Sequence, residues 1–236
     1  MKKTIMTILA AAMILSVQTP VHATEVVKGS IVYPIGKAPV DAVVQIGSWL
    51  GFIGSGTYLK GGYVLTAAHV IEDEEDRYLT VSDNTGKNTA IEVEVVAVDK
   101  ALDLALLKTE KTDHMYLNVS DGTKPWINSF KDYGNTSEYS YTPEKFKEKT
   151  GELLQAGYST IVQRAEKYVG EPISYATRTV DEYTMFACKG NSGSAIIDSY
   201  NEIAGLLVAT NIATNHAIAI PRADVAKFVN ENLPTE

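Results

Sequence analysis

Gly190-Asn191-Ser192-Gly193-Ser194 is the stretch on which the reading of this 236-residue chain turns. Two upstream segments give it meaning: Thr66-Ala67-Ala68-His69 and Asp103-Leu104-Ala105-Leu106-Leu107. Together they hold a histidine, an aspartate and a serine in the chain order His, Asp, Ser. The same three residue types occur on other folds in the orders Asp-His-Ser and Ser-Asp-His, so the order bears on fold as well as on chemistry.

Each segment has a physical reason to hold its residue. A nucleophilic serine needs a tight turn whose backbone amides point at the reacting oxygen. The amides of Gly190 and Ser192 are the candidate donors, and Gly190 has no Cβ to stop its peptide turning inward. Gly193 permits close approach of substrate and chain. Read alone, the segment is also an ordinary Ser/Gly turn. His69 follows the apolar run Tyr63-Val64-Leu65, the frame of a base at a strand end. His114 and His216 have no comparable frame. Asp103 sits in Ala101-Leu102-Asp103-Leu104-Ala105-Leu106-Leu107, where burying a carboxylate is costly unless it is paired. A histidine N–H is a suitable partner; a solvent-facing turn is the alternative.

The rest of the pattern is dominated by strands. Ile91-Glu92-Val93-Glu94-Val95 alternates with period two, as a half-buried strand does. Val43–Ile46, Tyr63–Thr66, Leu104–Lys108, Ala195–Ile197, Ile203–Ala209 and Ala217–Ile220 are short apolar runs bounded by turn residues. Asn84-Thr85-Gly86-Lys87 and Asp198-Ser199-Tyr200-Asn201 read as hairpin turns. Many short strands with such turns predict an all-β chain of sandwiches or barrels. Residues 120–149 are polar and lack a strand pattern, with Thr142-Pro143-Glu144 suited to start a short helix. Residues 222–233 have apolar residues near helical spacing with Asp224 at the start, which predicts a closing helix.

Residues 1–23 read as a signal peptide. Lys2 and Lys3 precede an apolar run of 13 residues, Ile5 to Val17, and Val21-His22-Ala23 fits a small-x-small cleavage site. An uncleaved anchor is the alternative, but the run is short against the ~20 residues of a span. Cleavage after Ala23 predicts a secreted or periplasmic chain, residues 24–236, with no stable membrane association. The signal segment carries two of the 21 basic residues and none of the 29 acids, so the remainder is net −10. That charge argues against nucleic-acid binding. Cys188 is the only cysteine, so no intramolecular disulfide is possible. Without a base motif beside it, Cys188 reads as a packed side chain. Glu72-Asp73-Glu74-Glu75-Asp76 lacks specific metal-ligand spacing and reads as a solvated loop rather than a calcium site. No metal and no cofactor are expected.

The three segments together resemble the chymotrypsin-like (trypsin-like) serine protease superfamily. Gly54-Ser55-Gly56-Thr57, upstream of the histidine, resembles the turn of its bacterial branch, the HtrA-type protease domains and the staphylococcal glutamyl endopeptidases. The lack of disulfides, unlike the animal secreted members, fits that branch. The resemblance implies two six-stranded antiparallel β-barrels with a C-terminal helix: barrel 1 about 28–115, linker 116–150, barrel 2 about 151–221, helix 222–233. It implies a serine endopeptidase acting on protein or peptide substrates; the chain is expected to be a monomer. His69, Asp103 and Ser192 would be catalytic, and Gly190 and Ser192 would form the oxyanion hole. The alternative is an inactive homologue acting as a secreted binding protein. Asn191 departs from the family, since zymogen-activated members carry an aspartate there that pairs with a newly cut N-terminus. That switch is expected to be absent. The resemblance carries the primary pocket onto Phe186, Ala187, Leu207, Val208, Thr210 and Ala217, with Phe186 at its base. No acid lies among them, and Leu207 and Ala187 stand where the glutamyl endopeptidases have polar residues. Cleavage after small or medium aliphatic residues is therefore expected.

Overall fold

Apolar runs of four to nine residues become strands here because each buries one or both faces against a second layer. The computed structural model describes residues 39–48, 51–71, 80–83, 91–110, 114–134, 148–163 and 175–234. A 3-10 turn at Pro39–Ala42 leads into the first sheet. Its strands are β1 (Val43–Ser48), β2 (Gly51–Leu59), β3 (Tyr63–Thr66), β4 (Thr80–Asp83), β5 (Ile91–Glu92), β6 (Glu94–Asp99) and β7 (Leu104–Lys108). They lie antiparallel in the order β5-β4-β1-β2-β3-β7-β6. The two ends of that order, β5 and β6, are separated in the chain by Val93 alone. One interrupted strand therefore pairs with β4 on one side and β7 on the other, and the sheet closes into a six-stranded barrel.

The second sheet closes in the same way. Its strands are β8 (Phe130–Asp132), β9 (Lys149–Gly151), β10 (Leu153–Gln163), β11 (Tyr175–Phe186), β12 (Ala195–Ile197), β13 (Ile203–Thr210) and β14 (His216–Pro221). Their order is β10-β11-β14-β13-β12-β8-β9, and only Glu152 separates the end strands β9 and β10. Glu152 is itself tied to β11: its N–H donates to Thr184 Oγ1 at 2.9 Å and its C=O accepts the Thr184 N–H at 2.8 Å. Closure removes the exposed edges an open sheet presents. The expected pair of six-stranded antiparallel barrels is the architecture found.

The stretch 116–150, expected as a linker, supplies β8 and the start of β9, so the second barrel begins at Phe130. A three-residue strand is too short to display alternation, which is why the sequence pattern misses it. Ile91 and Val93 pack on the core as the alternation predicts, but Val95 is exposed. A register shift between Val95 and Ala97 breaks the period there. The Asp198–Asn201 turn forms as expected: Asn201 N–H donates to Asp198 C=O at 3.0 Å, with Asn201 at φ 59. The signal segment, the Glu72–Asp76 run, the Asn84–Lys87 turn and Thr142-Pro143-Glu144 lie outside the described residues.

A short helix, α1 (Ala68–Ile71), follows β3, and α2 (Arg222–Asn232) follows β14. α2 buries Val225, Phe228 and Val229 and contacts β13 and β14 as well as β6 and β7, so it joins the two barrels. The main hydrophobic cluster is likewise shared: Ile46, Val64, Leu65, Leu104 and Leu106 of the first barrel pack in one cluster with Leu206, Val208, Ile218 and Ile220 of the second. Each such side chain contributes about 1.5–3 kcal/mol on burial. A second cluster, including Phe130, Tyr183, Met185, Ile196 and Leu207, fills the interior of the second barrel. Among the described residues no helix is long and apolar enough to cross a membrane.

Candidate active site

β3 and β7 are paired with Thr66 opposite Ala105, and that pairing brings His69 and Asp103 together. His69 lies in α1 just past the end of β3, and Asp103 immediately precedes β7. Asp103 is buried and adopts φ 64, a left-handed conformation that Asp tolerates better than most residues. Its backbone C=O accepts the Ala68 N–H at 3.1 Å. Its carboxylate then grips one residue twice: Oδ1 accepts the His69 backbone N–H at 2.9 Å, and Oδ2 lies 2.8 Å from His69 Nδ1. With a carboxylate as its partner, Nδ1 carries the ring proton, and Nε2 is left as the acceptor of the neutral imidazole. Burial pushes the Asp103 pKa up, but the hydrogen bonds and charge of His69, together with the charge of Arg178, more than offset this and hold it below the ordinary value.

Arg178, on β11 of the second barrel, is the partner the sequence did not disclose. Its Nη1 lies 3.0 Å from Asp103 Oδ2, and its side chain is almost wholly buried. No local motif marks it.

Ser192 is fixed by its neighbours on both sides of the interface. Its C=O accepts the Ser55 N–H at 2.8 Å, and Ser55 Oγ donates to Gly190 C=O at 2.7 Å. Thr66 Oγ1 donates to Ser55 C=O at 2.7 Å. Gly193 N–H donates to Leu207 C=O at 2.8 Å, and Ser194 donates to Asn191 C=O through both N–H, at 3.0 Å, and Oγ, at 2.7 Å. Gly193 sits at φ 86, and a Cβ there would fall 2.2 Å from Ser55 O and 2.3 Å from Thr66 Oγ1. The close approach this glycine allows is therefore that of the turn to β2. Gly54 is required for the same reason, since its Cβ would lie 2.9 Å from Ser192 O. Gly190 takes φ 93. Among the described residues no hydrogen bond engages the amides of Gly190 or Ser192.

The expected pocket residues divide. Ala187, Leu207 and Ala217 are buried together in the interior cluster of the second barrel. Val208 points the other way, into the cluster shared by both barrels. Thr210 is partly exposed and pairs with Ala217. Phe186 is not at the base of the pocket. It is 55% exposed, because Tyr183, Met185 and Ala187 take the inward positions of the alternating strand. His216 is engaged by Glu182, with Nδ1 2.9 Å from Oε1. Burial pushes the Cys188 thiol up, which fits a packed side chain. A solvent-open cavity lined by Trp126, Phe130, Tyr183 and Tyr200 among others contains none of His69, Asp103 and Ser192. Among the described residues no cluster of side chains has the make-up of a metal site.

The model of the trypsin-like peptidase domain family matches residues 54–206, well over half of the chain and the whole span from Gly54 in β2 past Ser192. The chain belongs to this family and is a serine protease of chymotrypsin-like fold. Among solved structures it is similar to the Rv3671c protease from M. tuberculosis in its active form, with TM-score 0.64 and 19% identity over 84% of this chain and 83% of that one. The inactive form of the same protease gives TM-score 0.62 and 19% identity, covering 83% and 91%. Deg5 gives TM-score 0.57 and 24% identity, covering 80% and 87%. At these identities the likeness concerns the fold. No curated protein sequence matches the chain.

Proposed function

We propose that the chain is a secreted serine endopeptidase that cleaves peptide bonds through an acyl-enzyme, with His69, Asp103 and Ser192 as its triad. The observation that carries the reading is the double grip of Asp103 on His69, which leaves Nε2 as the proton acceptor. Ser192 Oγ attacks the scissile carbonyl carbon as His69 Nε2 takes its proton. Asp103 holds the imidazole in one tautomer and stabilises the imidazolium, and the amides of Gly190 and Ser192 receive the oxyanion. The imidazolium then protonates the leaving amine. Water, deprotonated by the same nitrogen, attacks the acyl-Ser192 ester, and the imidazolium returns that proton to Ser192 Oγ as the C–Oγ bond breaks and the acid is released. Every proton is accounted for by His69, so the reaction calls for no metal and no cofactor.

Apolar Ala187, Leu207 and Ala217 support a preference for small or medium aliphatic residues before the cut. Residues 1–23 support export of the remainder, and the net charge disfavours nucleic acid as a partner. A fluorophosphonate probe tests the activity. Wild type is expected to be labelled and to hydrolyse casein, whereas Ser192→Ala folds but retains only the oxyanion-hole contribution, about 10³–10⁴ over water. A wild type that takes no label and cleaves nothing is instead an inactive homologue that serves by binding.

A further inference from the structure

Asn191 is fully buried beneath the turn that carries Gly190 and Ser192, and its side chain organises that turn. Oδ1 accepts the Cys188 backbone N–H at 2.9 Å and a hydrogen bond from Lys149 Nζ at 2.8 Å. The Asn191 N–H donates to Cys188 C=O at 3.1 Å, and its C=O receives both hydrogen bonds of Ser194. The Cys188 Sγ–H also faces Oδ1, at 3.6 Å, and all three groups are donors, which fixes the orientation of the amide.

Lys149 is the long-range member of this set. It stands at the start of β9, opposite Asp132 of β8, and its Nζ is in an ion pair with Asp132 Oδ2. Asp132 is completely buried and Lys149 nearly so. The other oxygen, Oδ1, accepts the Gly134 N–H at 3.0 Å. A Cβ on Gly134 would reach within 2.5 Å of Ser194 Oγ, so this segment lies directly against the turn. The charges balance as they stand: one ammonium, one carboxylate and a neutral amide. An aspartate at 191 would add a second buried carboxylate with only one cation between the two, at a desolvation cost of several kcal/mol. The asparagine is thus matched to a cation that already has its counter-ion.

We propose that Lys149 is a positioning residue for the oxyanion turn: held by Asp132, its ammonium pins Asn191 and keeps the Gly190 and Ser192 amides directed at the substrate carbonyl. The cation comes from within the second barrel, so the turn is set without a newly cut N-terminus. The inference rests on the protease reading above and names what holds its site ready.

The experiment compares wild type, Lys149→Met, Lys149→Arg and Lys149→Ala on a peptide ester. It measures kcat, KM, the rate of fluorophosphonate labelling and the affinity of a peptidyl aldehyde, which binds as an oxyanion. In Lys149→Met, kcat and the labelling rate are expected to fall about 10²–10³-fold, the usual cost of a lost oxyanion donor, with KM within about threefold of wild type. Aldehyde affinity falls in parallel. Lys149→Arg, which keeps a cationic donor, retains at least a tenth of wild-type kcat, and ethylammonium added to Lys149→Ala restores activity in a saturable way. A folded Lys149→Met that acylates at the wild-type rate overturns the proposal. So does a loss in Lys149→Arg as deep as in Lys149→Met, with no response of Lys149→Ala to ethylammonium. A wild type that is never labelled overturns the protease reading instead, so the two failures are distinct.

Discussion

Arg178 Nη1 lies 3.0 Å from Asp103 Oδ2, the same oxygen that meets His69 Nδ1, so a cation of the second barrel bears on the carboxylate of the first. Two energetic terms oppose each other here. The buried guanidinium has lost its hydration, and among the described residues its nitrogens find no well-formed hydrogen bond. Against that stands its attraction to a carboxylate already held twice by His69. Arg178→Met removes the cation but leaves the buried Asp103 carboxylate without its counter-charge, and a loss of about 3–5 kcal/mol in stability is expected. Without the cation, the Asp103 carboxylate loses one of the charges that hold its pKa down, so the variant is expected to lose its fold at higher pH than wild type as acid is added. Urea unfolding at neutral pH and acid unfolding followed by circular dichroism check the two parts. An unmoved acid midpoint refutes the electrostatic role.

Asp103 also links pH to stability. Its pKa in the folded chain is held below the ordinary carboxylate value that it has in the unfolded chain. The unfolded state therefore takes up the proton first as pH falls. The stabilisation is complete above that ordinary value and is lost as pH drops through the folded one. His69→Ala removes the main groups that lower this pKa, so its acid-unfolding midpoint is expected at higher pH than wild type. Ser192→Ala serves as the control and should unfold as wild type does. Circular dichroism across pH 2 to 5, roughly the carboxylate range, makes the comparison.

Gly193→Ala tests how the turn docks on the first barrel. The left-handed φ of 86 costs an alanine about 1–2 kcal/mol. The new Cβ would also overlap Ser55 O and Thr66 Oγ1, and overpacking of this kind costs about 1–3 kcal/mol more. Expected together are a destabilisation of about 3 kcal/mol and loss of fluorophosphonate labelling, because Ser192 is held through the same Ser55. An alanine variant as stable and reactive as wild type contradicts the geometry.

The sequence disclosed what is local. His69, Asp103 and Ser192 each sit in a short segment whose neighbours explain them: a strand end, an apolar run, a glycine turn. Arg178, Lys149 and Asp132 act across the fold, from strands with no motif, and a lone basic or acidic residue in a polar stretch carries no signal of burial. Phe186 is a different case. Its outward direction follows from period two, with Tyr183, Met185 and Ala187 inward, but transfer from the family placed it at the pocket base. β8 escaped because three residues cannot show a period.

In the proposed function, Ala187, Leu207 and Ala217 set the specificity. All three are buried in the interior of the second barrel, and Leu207 is the largest of them. A side chain that fills this space leaves room for a small or medium aliphatic group, and no charged residue among the three offers a counter-ion to an acid or a base. Leu207→Ala removes three carbons from that wall. Some stability is lost, about 2–5 kcal/mol for a buried leucine truncated to alanine. The space gained should admit larger groups. A methylene of fit is worth about 1–3 kcal/mol, so kcat/KM for Phe over Ala before the cut is expected to rise at least tenfold relative to wild type. A peptide-library profile of both enzymes reads the change. An unchanged profile shows that Leu207 does not bound the pocket. Wild-type cleavage dominated by Glu, Lys or Arg refutes the apolar reading itself, because a charged side chain entering this cluster would be desolvated without a partner.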